Sequence, residues 1–524
     1  MARVPSRRFA LLSALLGVAA AAGAEPPPAA PLASTLITHV LIFDGSGAPG
    51  RLGSLRIAGE RIVAVGDLAP LAGESIVEGN GRALAPGFID THSHGDGEIF
   101  DHPDALAAVS QGITTIVGGQ DGDSELPLAE FFAHLGRQPA AVNLASYAGH
   151  GTLRDRVLGK DYKRAATAPE IAAMGALLQG EMDAGALGLS SGLEYDPGIY
   201  STTAELVELA RVAGASGGRY ISHVRSEDRD FWAAIDEILT IGREAHLPVQ
   251  ISHVKLAMRS LWGQAPRLLK LLDDARRSGV EVTADIYPYL YWHAGLTVLF
   301  PQRDFENLES AEFALREIAP PEGLIVAGYL PEPSYAGKTL AEIARLRKES
   351  PARTLIELIR RSEKMRADGK TGVEHIIATS MVEADVEQLL AWPETNLCTD
   401  GQLDGSHPRG FGSYPRILGR YVRERHVLSL AEAIHKASGL AADHLGFRDR
   451  GRLAPGQAAD LVLFDPATVI DRATTDEPHA ISRGIERVWV NGAVVYEQGK
   501  ATGARPGKVL RRPGTPAIAA ENTQ

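Results

Sequence analysis

Cysteine is nearly absent from this chain of 524 residues, in which Cys398 has no second cysteine to pair with. A single thiol cannot form a disulfide within the chain, so an apolar core has to stabilise the fold. Positive charge is also in deficit, since 53 Lys and Arg stand against 65 Asp and Glu, a formal net charge of −12. This balance argues against nucleic acid or an anionic membrane surface as a partner.

Long hydrophobic runs are equally scarce, because the one long run lies at the beginning of the chain and no later segment is apolar enough to span a bilayer. Arg7 and Arg8 precede this run, which ends near Ala22 and leads through small residues to Glu25. These features predict a cleavable secretory signal over residues 1–24. We therefore expect a periplasmic or secreted mature protein that begins near Glu25.

The rest of the sequence shows two kinds of pattern. Residues 34–83 and 451–510 contain short alternating strands separated by glycine-rich turns. Each piece is too small to bury a core alone, so we expect the two to pair in one small β-sandwich. Between them, residues 84–450 alternate strands with helices, which is typical of an α/β protein with a (β/α)8 TIM-like barrel. The stretch from about 300 to 379 is too long for a simple crossover and predicts an inserted subdomain.

The barrel prediction depends on particular segments. Strands are predicted at about 84–92, 113–119, 140–147, 186–191, 218–224, 249–254, 282–288 and 395–399. Intervening helices are predicted at 103–111, 169–184, 203–215 and 265–278.

Histidines stand at the carboxyl ends of these strands. His92 and His94 follow the first strand two residues apart, and a strand repeats its side-chain direction every second residue. Both rings therefore face one side and can bind one metal ion. His223 and His253 recur in identical Ile-Ser-His-Val frames, and Asp400 closes another apolar run. Five such residues at strand ends predict a metal site at the top of the barrel.

Plainer interpretations remain open for these residues. A His-x-His pair on a strand is as often a packing or surface feature as a metal ligand, and Asp400 before Gly401 could be a turn aspartate. The remaining histidines with no strand-end frame are expected to be structural or exposed: His102, His134, His150, His246, His293, His375, His426, His435, His444 and His479.

Seven motifs in order make the chain resemble the amidohydrolase superfamily, and specifically its D-aminoacylase (N-acyl-D-amino-acid deacylase) family. The motifs are Pro86-Gly87-Phe88-Ile89-Asp90-Thr91-His92-Ser93-His94, Gly188-Leu189-Ser190-Ser191-Gly192-Leu193-Glu194-Tyr195, Ser222-His223-Val224-Arg225-Ser226-Glu227, Ser252-His253-Val254-Lys255, Tyr287-Pro288-Tyr289, Thr399-Asp400-Gly401 and His407-Pro408-Arg409. The fold of that family, a metal-dependent barrel flanked by a sandwich from both termini, agrees with the pattern described above.

The resemblance also implies the chemistry. Zn²⁺, as one or two ions, suits nitrogen and oxygen ligands and keeps an open position for water. His223 and His253 are implied to be the tight ligands, with His92 and His94 at a second and weaker position. Asp400 then fits the general base that takes the proton of the attacking water and passes it to the leaving amine.

One position departs from the family pattern. D-aminoacylases typically carry a cysteine ligand after the second strand, and this chain has Asp121 there. Cys398 lies in the frame of the last strand and cannot replace it. Because aspartate is a harder donor than thiolate, we expect an altered site, with a different metal preference or a carboxylate that bridges two ions. No lysine lies in the fourth-strand frame, 187–194, which argues against the carbamylated-lysine hydrolases of cyclic amides.

Substrate recognition is expected to depend on a carboxylate. Arg409 offers a planar fork that pairs bidentately with one, and Lys255 and Tyr287 follow strands six and seven. The resemblance supports these three as the clamp on the α-carboxylate of the substrate. Each could instead be a surface salt-bridge or packing residue.

The sequence therefore predicts zinc-dependent hydrolysis of small-molecule N-acyl-D-amino acids. A dipeptidase or another amidase of the same superfamily is the alternative among enzymes. An inactive metal-bearing binding protein is the alternative of another class, since Asp121 replaces the family cysteine, although such a protein has no need of the base Asp400. The sequence leaves the side-chain preference, the metal count and any oligomer open.

Overall fold

The computed structural model of the protein describes residues 34–515. The predicted signal over residues 1–24 and its cleavage site lie outside the described residues. Within the described range, none of the helices is long and apolar enough to cross a membrane.

The regular elements are numbered here in chain order. The strands are β1 (Ser34–Ile42), β2 (Arg51–Ala58), β3 (Arg61–Gly66), β4 (Ser75–Glu78), β5 (Ala83–Pro86), β6 (Phe88–Asp90), β7 (Ile113–Gly118), β8 (Asn143–Ser146), β9 (Ala148–Gly149), β10 (Gly188–Gly192), β11 (Arg219–His223), β12 (Val249–Ile251), β13 (Val282–Ile286), β14 (Tyr291–Ala294), β15 (Leu324–Tyr329), β16 (Lys338–Thr339), β17 (Glu374–Thr379), β18 (Thr395–Leu397), β19 (Leu461–Phe464), β20 (Ile485–Val490), β21 (Ala493–Glu497) and β22 (Lys500–Ala501). The α-helices are α1 (Leu106–Val109), α2 (Leu128–Arg137), α3 (His150–Leu158), α4 (Ala168–Ala184), α5 (Thr203–Ala215), α6 (Phe231–Ala245), α7 (Ala265–Arg277), α8 (Leu308–Phe313), α9 (Leu340–Arg347), α10 (Pro351–Ala367), α11 (Glu383–Ala391), α12 (Arg409–Arg416), α13 (Leu430–Ala437) and α14 (Gly439–Leu445).

The barrel is built from parallel strands in two hydrogen-bonded groups, β6-β7-β8 and β18-β13-β12-β11-β10-β9. Backbone bonds join the groups at both seams. Leu187 N donates to Ser146 O at 2.9 Å, and Asp400 N donates to His92 O at 2.8 Å. All the strands are buried on both faces, which is typical of a parallel sheet covered by helices. The predicted (β/α)8 barrel is confirmed.

Capping residues in the sequence determine where the helices around the barrel begin and end. Helix α4 begins after Thr167, whose side chain and the side chain of Glu170 form a capping box with each other's backbone N–H. The helix ends before Gly185, which has φ +106°, a conformation that glycine adopts without strain. The observed helix therefore differs by one residue from the predicted 169–184.

The two terminal segments meet in one continuous sheet of nine strands, ordered β22-β21-β20-β19-β5-β1-β2-β3 with β4 beside β1. The antiparallel pair β5 and β19 joins the two segments. A core separate from that of the barrel includes Ile37, Leu55, Leu84, Leu461 and Trp489, each at most 1% exposed. Neither segment has this core alone, because its members come from both ends of the chain.

The inserted subdomain begins earlier than the predicted residue 300. Its four-stranded sheet has the order β14-β17-β15-β16 with antiparallel pairs, and β14 starts at Tyr291. Helices α8, α9 and α10 accompany this sheet between β14 and β17. The strand β14 directly follows the end of barrel strand β13, so the insertion starts at the mouth of the barrel.

Candidate metal centre and active site

The carboxyl ends of five barrel strands bring together the residues predicted to bind metal or act as base. His92 and His94 follow β6, and Asp121 follows β7. His223 is the last residue of β11, whereas His253 and Asp400 come two and three residues after β12 and β18. Asp121, His253 and Asp400 have φ values of 52°, 33° and 49°. Such left-handed backbone costs energy in non-glycine residues and is found preferentially at functional sites.

The first metal-capable group consists of His92, His94, Asp121 and Asp400. His94 Nε2 lies 3.2 Å from Asp400 Oδ1 and 3.5 Å from Asp121 Oδ2. His92 Nε2 lies 3.5 Å from each of the same two oxygens. Ligands of a tetrahedral zinc ion with bonds of about 2.0 Å are separated by roughly 3.3 Å. These four side chains therefore already have the spacing that such an ion requires.

Two further groups share His223: Asp121, His223 and His253 form the second group, and Glu194, His223 and Glu227 form a third. His253 Nε2 lies 3.4 Å from Asp121 Oδ2 and 3.1 Å from His223 Nδ1. Asp121 Oδ2 thus belongs to the first two groups. The structure therefore places this carboxylate where it could bridge two ions, which is one of the two consequences expected from the sequence.

Unpartnered polar atoms indicate that a cation fits here. Both ring nitrogens of His92 and the Oδ1 atom of Asp121 are buried without a hydrogen-bond partner. Buried polar atoms normally have partners, so such atoms are expected where an ion supplies the missing interaction. Burial and Lys255 lower the pKa of His253, yet the carboxylates of Asp121, Asp400 and Glu227 raise it to about 10. The surrounding carboxylates therefore favour positive charge at His253. A bound metal ion would supply this charge in place of the proton on the His253 ring.

Two glutamates lie behind the histidines of the second group. Glu194 Oε2 is 3.2 Å from His223 Nε2, and Glu227 Oε1 is 3.1 Å from His253 Nδ1. The other two ring nitrogens, His223 Nδ1 and His253 Nε2, lie 3.1 Å from each other. This arrangement fixes the ring orientation and leaves His223 Nδ1 and His253 Nε2 to face the ion.

Lys255 is engaged with the same glutamate. Its Nζ donates to Glu227 Oε1 at 2.6 Å and lies 2.7 Å from His253 Nδ1. The Lys255 side chain is buried, and the pair is part of the support of His253. The ammonium group of Lys255 thus already has a carboxylate partner within the protein. That Lys255 also contacts the substrate stays a prediction.

Arg409 lies against the predicted base. Its Nη1 donates to Asp400 Oδ2 at 2.5 Å, and both side chains are about 6% exposed. Burial raises the pKa of Asp400, but Arg409 and the nearby histidines lower it further, so the net pKa lies well below its ordinary value. Asp400 is therefore ionised and able to accept a proton.

Two hydrogen-bond donors beside this pair have no partner. They are Nε of Arg409 and the hydroxyl of Tyr287, both buried. The Arg409 guanidinium carbon lies 4.9 Å from the centre of the Tyr287 ring. Burial raises the pKa of Tyr287 well above its ordinary value, so the hydroxyl keeps its proton. That Arg409 and Tyr287 hold a substrate carboxylate stays a prediction, and the one bond of the Arg409 side chain in the described residues joins Nη1 to Asp400 Oδ2.

All of these groups except the fully buried His92 line one cavity of about 500 Å³. The inserted subdomain supplies one wall of it, namely Trp292, His293, Ala294, Gly295, Val298, Leu299, Ile318 and His375. The rings of His293 and His375 stack with centres 5.4 Å apart. The expectation that these two histidines are merely structural or exposed is therefore incomplete, because both face the cavity.

Sequence reasoning assigned no role to Glu194 or Glu227, although both lie within motifs that it singled out. Their position near the carboxyl ends of predicted strands, which identified the histidines, could also have identified these glutamates. Glu194 comes two residues after β10 and Glu227 four residues after β11. Their partners could not be read from the sequence, because Glu194 supports His223, which is 29 residues away.

The profile of the family described as "Amidohydrolase family" matches residues 76–314 and 398–496. The chain belongs to the amidohydrolase family. The match omits residues 315–397, which contain most of the inserted sheet, and includes every residue of the three metal-capable groups.

Relatives of this amidohydrolase extend over nearly its whole length. Three proteins of Alcaligenes xylosoxydans xylosoxydans are similar: D-aminoacylase (36% identity, 91% of this chain and 97% of the relative), N-acyl-D-glutamate deacylase (36%, 92% and 97%) and N-acyl-D-aspartate deacylase (37%, 91% and 95%). Within the family, the chain therefore belongs to the D-aminoacylase branch.

A solved structure supports the same grouping. The N-acyl-D-glutamate deacylase of Bordetella bronchiseptica, complexed with zinc and a phosphonate mimic of the tetrahedral intermediate, superposes with a TM-score of 0.82. The two chains are 36% identical, and the alignment covers 92% of this chain and 100% of the other. The barrel, the terminal sheet and the insertion are thus features of a shared fold.

Proposed function

We propose that this amidohydrolase uses zinc to cleave the amide bond of N-acyl-D-amino acids, yielding a carboxylate and a D-amino acid. The observation that carries the proposal is the position of Asp400, which lies 3.2 Å from His94 Nε2 and lines the same cavity as Asp121, His223 and His253. Full-length similarity to three deacylases of N-acyl-D-amino acids supports the substrate class. A binding protein would have no use for an ionised base beside the metal ligands.

The proposed metal ligands are His223 and His253 with Asp121 at the principal position, and His92 and His94 at a second position. A zinc ion bound there polarises the amide carbonyl and lowers the pKa of bound water. The chain itself holds the ligands in place, because Glu194 and Glu227 fix the rings of His223 and His253.

Asp400 is the proposed general base. Its carboxylate accepts the proton of the attacking water and then donates this proton to the leaving nitrogen, so that the amine departs neutral. Arg409 holds the carboxylate in position through the bond between Nη1 and Oδ2. Because the pair is buried, the carboxylate keeps one orientation toward His92 and His94.

The α-carboxylate of the substrate is proposed to bind at Arg409 Nε and the Tyr287 hydroxyl. Both donor atoms are buried without a partner among the described residues, and both residues line the cavity. Filling them with one carboxylate would satisfy two atoms whose burial is otherwise unfavourable. Recognition and catalysis would then share one arginine.

A substrate panel with metal analysis tests this proposal. Purified protein with added zinc should hydrolyse N-acetyl-D-leucine at least tenfold faster than N-acetyl-L-leucine, and chelation should abolish the turnover. The Asp400→Asn variant should lose about a hundredfold or more in kcat, the usual contribution of general base catalysis. Its zinc content at the principal position should be unchanged.

Other outcomes would overturn the proposal. Preferential turnover of dipeptides would identify the enzyme as a dipeptidase. Stoichiometric zinc without turnover of any N-acyl amino acid or dipeptide would favour a binding protein. A loss of less than tenfold in Asp400→Asn, with zinc bound, would assign the base to another residue.

We also propose that the enzyme acts in the periplasm or outside the cell. The support is the sequence pattern of residues 1–24, two arginines before an apolar run and small residues before Glu25. Fractionation of expressing cells and determination of the mature amino terminus test this. A cytoplasmic protein that retains Met1 would contradict it.

A further inference from the structure

His407 is a buried histidine in the loop between β18 and α12, two residues before Arg409. Within the described part of the chain, it belongs to none of the metal-capable groups and does not line the cavity. Because buried polar atoms are normally hydrogen-bonded, the partners of its two ring nitrogens indicate its role.

The first ring nitrogen of His407 holds the backbone of Arg409. The N–H of Arg409 donates to His407 Nδ1 at 3.0 Å. Arg409 is the first residue of helix α12, and the first N–H groups of a helix have no partner within the helix itself. The His407 ring supplies this missing acceptor and so fixes the point from which the Arg409 side chain leaves the helix.

The second ring nitrogen of His407 bonds to the inserted subdomain. Nε2 donates to the backbone oxygen of Tyr291 at 3.1 Å, and Tyr291 is the first residue of β14. Since a carbonyl oxygen only accepts, the proton lies on Nε2 and leaves Nδ1 free to accept from Arg409. Burial lowers the pKa of His407 well below its ordinary value, and the Arg409 cation lowers it further, so the ring is neutral. One neutral imidazole therefore bonds Arg409 to the insertion.

Aromatic rings hold the imidazole of His407 in this orientation. The ring centres of Tyr291, Tyr289, Tyr287 and His293 lie 4.9, 5.6, 6.3 and 6.3 Å from its own. Three of these four rings stand edge-to-face with it, an arrangement that stabilises aromatic pairs. Packing on several sides restricts the ring rotation that would break both hydrogen bonds.

The two bonds of His407 also fix Arg409 relative to Tyr287. Tyr287 lies four residues before Tyr291 in the chain, and its ring centre is 4.9 Å from the guanidinium carbon of Arg409. Arg409 Nε and the Tyr287 hydroxyl are the two donor atoms without a partner among the described residues. Two donors serve one carboxylate only at the right spacing, because hydrogen bonds weaken steeply with distance and misalignment.

We infer that His407 is a positioning residue that bonds Arg409 to the first strand of the inserted subdomain and thereby sets the spacing of the Arg409 and Tyr287 donors for the substrate α-carboxylate. The inference rests on the proposed function, and in particular on the carboxylate site at these two residues. His407 acts through Arg409 and does not itself touch the substrate.

Two variants each remove one of the two bonds. In His407→Asn the side-chain oxygen is attached to Cγ, as Nδ1 is, so the acceptor for Arg409 is kept and the donor to Tyr291 is lost. In His407→Gln the amide nitrogen lies one bond farther out, as Nε2 does, so the donor to Tyr291 is kept and the acceptor for Arg409 is lost. Either variant alone decides the question if the other does not fold.

The measurement compares N-acetyl-D-leucine with N-acetyl-D-leucinamide, which has no α-carboxylate. In both variants KM for the acid should rise by about tenfold, the order expected for one lost buried hydrogen bond, whereas KM for the amide should not change. Zinc content should equal that of the parent, because no metal ligand is altered.

His479→Asn is the matched control. The His479 ring also bonds this loop, through Nε2 and Gly405 O at 3.0 Å, but it is 46% exposed and outside the cavity lining. Its KM for both substrates should match that of the parent, since the bond it loses does not reach Arg409.

Three outcomes would overturn the inference. An acid KM equal to that of the parent in a folded His407→Asn protein would show that the bond to the insertion has no role in binding, and the same result in His407→Gln would exclude the bond to Arg409. Equal impairment on acid and amide would make His407 a structural residue only. By contrast, a parent enzyme that hydrolyses neither substrate would overturn the proposed function itself.

Discussion

At the scale of single residues, Asp121 is the member shared by two of the three metal-capable groups in the described part of the chain. One oxygen of its carboxylate lies within 3.5 Å of ring nitrogens of His92, His94 and His253. A thiolate in the same place would be a softer ligand with a single donor atom, whereas a carboxylate has two. The second oxygen, Oδ1, is buried without a hydrogen-bond partner among the described residues.

We expect Asp121→Ala to bind zinc more than a hundredfold more weakly, a larger loss than the roughly 10- to 100-fold typical of residues behind a ligand. Asp121→Cys should retain zinc, because thiolate is a good zinc ligand. Zinc content and affinity measured with a competing chelator check this, with Asp123→Ala as the matched control. A purified Asp121→Ala protein with unchanged zinc affinity would remove Asp121 from the metal site.

Glu194 should act through His223. The Glu194→Gln variant keeps the size of the side chain but loses the charge beside His223 Nε2. We expect zinc affinity to fall by about 10- to 100-fold, while saturating zinc restores most of kcat. Isothermal titration with zinc measures this, and Glu208→Gln, an exposed glutamate paired with Arg211, is the control. Unchanged affinity in Glu194→Gln would mean that Glu194 does not orient the ligand.

Arg409 should influence both rate and binding, because it contacts Asp400 and also carries the free Nε. A lysine keeps the charge but lacks the fork. On N-acetyl-D-leucinamide, which has no α-carboxylate, Arg409→Lys should lose about tenfold in kcat through the weakened hold on Asp400. On N-acetyl-D-leucine it should show the same loss plus a rise in KM.

A purely substrate-binding arginine would leave the amide kinetics unchanged. A purely structural one would affect acid and amide equally in both kcat and KM. The comparison of the two substrates therefore separates the three roles of Arg409.

At the scale of elements, the seam between β6 and β18 holds His92 and Asp400 together. The Tyr414 hydroxyl, on α12, lies 2.8 Å from Ile89 O and 2.9 Å from Leu397 O and can donate to either. Ile89 belongs to β6 and Leu397 to β18, so one buried side chain connects both sides of the seam. The geometry of the first metal-capable group therefore depends on helix α12.

We expect Tyr414→Phe to destabilise the protein by about 1–3 kcal/mol, because the one buried hydrogen bond that the hydroxyl donates to Ile89 O or Leu397 O is lost. The matched control is Tyr147→Phe, since the Tyr147 hydroxyl is equally buried but has no partner. Urea unfolding of both variants measures the difference. Equal effects of the two substitutions would show that the Tyr414 bond does not stabilise the seam.

The barrel strands and helices were predictable because their signals are local. Helix α4 has its cap at Thr167 and its terminating glycine at Gly185, both visible in the sequence. Strand β14 gave no such signal, because its four residues are stabilised by pairing with β17, about eighty residues later in the chain. The start of the insertion was therefore placed too late.

At the scale of the whole molecule, the metal ligands join strands that are far apart in the sequence, from His92 after β6 to Asp400 after β18. A cation bound by these groups stabilises the folded chain only, because the unfolded chain does not hold them together. Metal content and global stability should consequently be coupled.

We expect removal of zinc by a chelator to lower the free energy of unfolding by about 2.7 kcal/mol relative to protein in free zinc at a hundred times the Kd. Thermal unfolding with and without the chelator measures this change. Asp121→Ala should show a much smaller difference between the two conditions. A melting temperature independent of zinc in the parent enzyme would contradict ligand binding across the barrel.

The sequence by itself determined the barrel, the strand-end histidines, the aspartate at position 121 and the family. Periodicity and motif spacing are local properties, so they can be read from the order of the residues alone. Only the tertiary structure decided which side chains meet: Glu194 lies behind His223, Arg409 binds Asp400, and residues of the insertion line the same cavity as Asp121 and His253. These contacts join residues brought together by closure of the barrel and by pairing of β14 with β17. Their partners are fixed by packing in three dimensions, which no local pattern encodes.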